Sequence, residues 1–189
     1  MLMLIRLRLD AIKIYRRKKL LMVKSQKPLI ISALFAAMTV VLTSFAPISI
    51  GNGYIHAGDS IIYLVSCVLP FPYAIFVAII GGALSDTLTG YAIFIIPTIV
   101  IKALITLPYT SKNDKILTIR NAIMTIPAGI ITVIGYFITE LIIFGWSVAI
   151  YDWLGNLIQA AGSAVLFFII ATALDKIKFK QNIPKDINC

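Results

Sequence analysis

Six apolar stretches divide the chain, over residues 29–45, 60–69, 73–85, 92–107, 122–144 and 148–174. Long unbroken runs of this kind predict membrane-spanning helices rather than the one-faced or alternating patterns of a soluble core. A span needs roughly 17–25 residues, so the second and third runs are short. Leu69-Pro70-Phe71-Pro72 separates them, and prolines this close together break a helix. The two runs make either one kinked helix, which gives five spans, or two short helices, which give six.

Charge chooses between these. Of the 17 Lys and Arg, nine lie in residues 1–27. Lys112, Lys115 and Arg120 share one loop, and Lys176, Lys178, Lys180 and Lys185 lie in the tail. Basic residues stay on the cytoplasmic side. With the N-terminus inside, six spans keep all three groups inside and leave 46–57, 85–91 and 145–151 outside with no Lys or Arg. The expected fold is all-α. It is an integral membrane six-helix bundle over 28–175, with a basic cytoplasmic leader, 1–27, and a basic cytoplasmic tail, 176–189. The two short helices must be tilted or shielded by their neighbours. Composition agrees, because 60% hydrophobic and 13% charged residues leave too little polar surface for a soluble domain of this length. The net charge of +9 then belongs to topology and to anionic lipid of the bilayer, not to nucleic acid.

Within the apolar runs an ionisable residue costs ~2.5–3.5 kcal/mol at mid-bilayer and so needs a reason. Asp59, Asp86, Glu140 and Asp152 lie toward the outer side, and Lys102 lies inside the fourth run. The polar residues fall at helical spacing. Thr98, Lys102 and Thr106 share one face, as do Thr132, Tyr136 and Glu140, and as do Asp152, Asn156, Gln159 and Ser163. Polar faces in a membrane bundle turn inward. Together they predict an outward-facing cavity, with Trp146 and Trp153 as aromatic walls or as an interfacial belt. Such a cavity suits a flat, polar, uncharged or weakly basic heterocycle. Tyr136, Glu140, Asn156 and Gln159 are the expected substrate contacts, the carboxylate accepting from an amino group and the amides reading ring nitrogens. Lys102 is expected to snorkel inward or to pair with Asp86 as a structural bridge, and Asp152 to cap the sixth helix. The outer loop 46–57, rich in turn formers, reads as an ordered gate in which Tyr54 and His56 close over the ligand. No catalytic motif, metal-ligand spacing or phosphate-binding glycine loop is present, so the chain is not expected to be an enzyme or to hold a metal or cofactor.

Small residues one turn apart, Ala33 with Ala37 and Ala78 with Gly82, let a second helix approach closely, whether from a partner or from within the bundle.

Several stretches carry a family resemblance over roughly residues 28–175. They are Ala33–Ala37, Gly53-Tyr-Ile-His-Ala-Gly-Asp59, Ser85-Asp-Thr-Leu-Thr-Gly-Tyr91 followed by Lys102, Gly135-Tyr-Phe-Ile-Thr-Glu140, and Asn156-Leu-Ile-Gln159. The chain resembles a substrate-binding S component of an energy-coupling factor (ECF) transporter, the vitamin-importing branch of ABC transporters. It is most similar to the riboflavin-type subgroup, which includes hydroxymethylpyrimidine and pyridoxine-like transporters. The resemblance implies vitamin capture from outside, under the first outer loop and between the last three helices, in a bacterial plasma membrane. It implies no ATPase in this chain. A membrane T component would dock on Ala33 and Ala37, and two cytoplasmic ATPases would use the ATP. The alternatives are a riboflavin-specific S component, an autonomous small permease and an uncharacterised membrane enzyme.

Overall fold

The computed structural model describes residues 26–45, 48–50 and 53–183, with backbone alone for 48–50 and 53–55. Helix α1 runs Gln26–Ser44. Two short antiparallel strands follow, β1 Ile48–Ile50 and β2 Gly53–Ile55, with Ile48 opposite Ile55. Then come α2 Gly58–Val68, α3 Phe71–Thr89, a 3₁₀ turn Ala92–Phe94 and α4 Ile95–Thr106. The short α5, Ile119–Ile123, leads into α6 Thr125–Phe144, and α7 Trp146–Lys176 and α8 Phe179–Asn182 complete the chain.

Four helices are long and apolar enough to cross a membrane: Gln26–Ser44, Phe71–Thr89, Ile119–Phe144 and Trp146–Lys176. Two shorter apolar helices, Gly58–Val68 and Ala92–Thr106, join them. The proline pair does break the chain. Leu69 is extended at the end of α2, Pro70 precedes α3, and Pro72 sits in the first turn of α3, where its missing N–H costs nothing. At 1.5 Å per residue α2 is only about 16 Å long, too short to span alone. Every one of its residues is buried, and α3, α4 and α7 pack around it. Shielding by neighbours is thus how this short helix is accommodated.

The faces are arranged as in a bilayer. On α6, Ile126, Ile130, Ile134, Ile138 and Ile142 recur every fourth residue and are all exposed, whereas Ala128, Thr132, Thr139 and Glu140 are buried. On α7 the buried residues include Ala149, Asp152, Asn156, Gln159, Ser163, Phe167 and Ala171. Exposed apolar groups with a polar interior reverse the soluble pattern, and lipid is the medium that rewards this. The helices approach closely where glycine allows. A Cβ on Gly82 of α3 would lie 2.8 Å from Thr98 Cγ2 and 3.1 Å from Lys102 Cγ, and one on Gly135 of α6 would lie 2.7 Å from Ile101 Cγ1. Gly82 therefore serves packing inside the bundle.

At the end where α4 stops and α7 finishes, side chains tie loop to helix. Asp175 accepts from the backbone N–H of Ile116 and of Leu117, each at 2.8 Å. Asn121 donates to the carbonyls of Thr110 and Ile116. Lys180 donates to the carbonyls of Cys67, at the open end of α2, and of Ser111, at 2.6 and 2.7 Å. Burial holds this lysine below its usual pKa. These bonds satisfy backbone groups that the helix ends would otherwise leave orphaned.

Candidate functional site

The other end of the bundle carries a small cavity, about 30 Å³, which is room for roughly two waters. Its polar lining comes from His56, Asp86, Glu140, Asn156 and Gln159, and its aromatic lining from Tyr91, Phe94 and Tyr136. The hairpin β1–β2 leads directly into His56 at its rim. The inward faces predicted on α6 and α7 line it, and that of α4 meets them behind it through Thr98 and Lys102.

Lys102 of α4 and Asp59 of α2 form a buried ion pair, Nζ to Oδ1 2.6 Å, with 2% and 0% of their surfaces exposed. Gln159 Nε2 donates to the other carboxylate oxygen of Asp59 at 3.1 Å. One carboxylate thus joins three helices. Lys102 Nζ also stands 5.1 Å from the centre of the Tyr136 ring, a cation–π contact, and the Tyr136 hydroxyl is 3.2 Å from Thr98 Oγ1. On the far side of the cavity Asn156 Nδ2 lies 3.1 and 3.2 Å from the two oxygens of Glu140. Phe94 packs beside Tyr91, Tyr136 and Phe144, with ring centres 6.0–6.4 Å apart.

His56 is fixed at the rim. Gly58 N–H, which can only donate, lies 3.1 Å from His56 Nδ1, so Nδ1 accepts and the ring proton sits on Nε2. Ser163 Oγ lies 3.5 Å from the His56 carbonyl and links the rim to α7. Burial, and then the charge of Lys102, push the imidazole pKa down to about 4, against the opposing pull of Asp59. A histidine that titrates lower when folded than unfolded takes up its proton first in the unfolded chain. Thermal stability in detergent should therefore be flat in its His56 contribution above pH 6.5 and fall as pH drops from 6.5 toward 4. His56→Asn keeps the acceptor and removes the titration, so it should fall less over that window. Parallel melting profiles for the two proteins would contradict this assignment.

Three sequence expectations need correction. Lys102 makes its ion pair with Asp59, where Asp86 was expected, and Asp86 lines the cavity. Both acids lie at the right depth, and only the packing of α2 into the centre decides which one meets the lysine. Asp152 does not cap the sixth helix, because α7 begins at Trp146, and Asp152 is buried well inside it. Trp146 and Trp153 do not wall the cavity, being 63% and 46% exposed on the lipid side of α7, with Trp146 edge-on to Phe137. The aromatic walls are Tyr91, Phe94 and Tyr136 instead. Tyr91 ends the Ser85–Tyr91 stretch that the sequence had already marked and Phe94 follows it, but nothing in the spacing set them against α6. The side chain of Tyr54 lies outside the described residues. Ala33 and Ala37 are exposed and line a groove of about 460 Å³ between α1 and α3, away from the cavity.

A small, carboxylate-bearing, aromatic-walled cavity sheltered at one end of a helical membrane bundle has the lining of a solute-binding site. Among the described residues no cluster of His, Cys, Asp and Glu is arranged to hold a metal ion. Residues 23–176 match the model of the family described as ECF-type riboflavin transporter, S component, and the chain belongs to that family. It is accordingly the vitamin-binding subunit of a transporter and not an enzyme, which sets aside the membrane-enzyme and autonomous-permease alternatives. No curated protein matches the chain.

Proposed function

We propose that this subunit captures a one-ring heterocycle, of the hydroxymethylpyrimidine or pyridoxine-like kind, from outside a bacterial cell. Tyr136, Glu140, Asn156 and Gln159 contact it, and Tyr54 on the hairpin covers it. The chain crosses the plasma membrane six times with both termini in the cytoplasm. Exposed Lys112, Lys115, Arg120, Lys176 and Lys178 lie at the end opposite the cavity, which supports an outward-facing site. The groove at Ala33 and Ala37 receives a membrane T component, and two cytoplasmic ATPases supply the energy.

The observation that carries the ligand class is the Glu140–Asn156 pair at a cavity wall whose other side is aromatic. The carboxyl accepts from an amino group while the rings cover its flat faces. Size supports one ring. A cavity that holds roughly two waters must widen for any ring, and least for the smallest. The name of the matched family points to riboflavin, a three-ring ligand that would demand far more widening.

Isothermal titration of the purified protein with 4-amino-5-hydroxymethyl-2-methylpyrimidine, pyridoxine and riboflavin tests the proposal. The aminopyrimidine should bind. Glu140→Gln should weaken it at least tenfold, which is ~1.4 kcal/mol, and Asn156→Ala should weaken it without unfolding the bundle. Unchanged affinity in both variants would move the site elsewhere.

A further inference from the structure

The two amides at the cavity each have a donor end and an acceptor end, and their neighbours decide which end the ligand meets. Lys102 Nζ can only donate, and it does so to Asp59 Oδ1 at 2.6 Å. Asp59 is therefore a carboxylate whose second oxygen also accepts. Gln159 meets that oxygen with its nitrogen, Nε2 to Oδ2 3.1 Å. Reversing the amide would set oxygen against oxygen in a buried place and lose a charge-assisted hydrogen bond. Asp59 is wholly buried behind the wall, whereas Gln159 lines the cavity. With its NH₂ end directed into the wall, the amide turns its carbonyl oxygen, Oε1, to the cavity. Asn156 follows the same rule, its nitrogen being directed at Glu140. The expectation that these amides read ring nitrogens required N–H groups aimed at the ligand, and each NH₂ here gives an N–H to a carboxyl, leaving the carbonyl end as the amide's acceptor for the ligand.

We infer that Lys102 and Asp59 are positioning residues that fix Gln159 with its carbonyl oxygen toward the ligand, so that the site selects for N–H donors. The ligand it takes carries an amino group or a protonated ring nitrogen facing Gln159. This rests on the one-ring reading above and adds to it the direction of the hydrogen bond and the residues that impose it. A buried ion pair gains little or no stability over apolar residues of the same volume. Orientation of Gln159 is a function that apolar residues could not perform there.

The test measures a preference, not an affinity, because a purely structural pair would alter affinity for all ligands alike. The probes are 4-amino-5-hydroxymethyl-2-methylpyrimidine, its analogue lacking the 4-amino group, and riboflavin. The wild-type protein should prefer the amino compound over the deaminated one by at least about tenfold, since the latter leaves Oε1 buried and unpaired. In Asp59→Leu/Lys102→Met the amide is free to turn, and the preference should shrink by at least about threefold, the share that Glu140 contributes remaining. Gln159→Met, which disturbs the fold less, should reduce the preference in the same way. A wild type that binds both pyrimidines equally, or a preference that persists undiminished in these variants, would overturn the inference and leave the one-ring ligand standing. Binding of riboflavin alone would overturn both.

Discussion

Lys102→Met alone should be the most damaging single substitution in the bundle. The methionine keeps the aliphatic stem that packs against Gly82, so little volume is lost. What remains is Asp59, 0% exposed, with the nearest positive charge gone. Leaving one member of a buried pair uncompensated costs about 3–5 kcal/mol, a large share of a domain's stability. The variant should aggregate on extraction or melt far below the wild type in detergent. Asp59→Leu/Lys102→Met removes both charges together and should recover most of the loss. Thermal unfolding followed by size-exclusion chromatography distinguishes the two. A single variant as stable as wild type, or a double variant no better than the single, would mean that the pair does not hold α2 to α4.

Ala33→Trp/Ala37→Trp should abolish uptake while leaving binding intact. Helix α1 turns Ser32, Phe35, Thr39 and Thr43 into the bundle and leaves Ala33 and Ala37 exposed on the groove against α3. Association between helices in lipid relies on close backbone approach over small side chains, and two indoles fill the space such an approach needs. Vitamin uptake by cells carrying the complete transporter should fall by more than about tenfold, and affinity of the isolated subunit should change by less than about twofold. The groove lies apart from the cavity, so equal loss of binding and uptake would show instead that the face matters to the fold of this chain. Uptake at the wild-type rate would place the partner elsewhere.

Much of this protein is legible along the chain because a bilayer imposes one-dimensional rules. Apolar length marked the helices, and 29–45, 122–144 and 148–174 match α1, α6 and α7 to within a few residues. Pro70 and Pro72 marked the break between α2 and α3. Helical spacing alone put Lys102, Glu140, Asn156 and Gln159 on inward faces, and all of them are buried. Periodicity states which side of a helix turns in, since a polar group in lipid has nowhere else to go. It is silent on which inward group meets which. That depends on the depth and rotation of one helix against another, set by contacts such as Gly82 on Thr98 and Gly135 on Ile101. In the folded bundle α2 lies at the centre, Lys102 meets Asp59 rather than Asp86, and Trp146 and Trp153 face outward while Tyr91 and Phe94 line the cavity. Only with these partners in place does the end-to-end direction of the Gln159 amide follow, because an amide has no preferred direction until a carboxylate stands on one side of it.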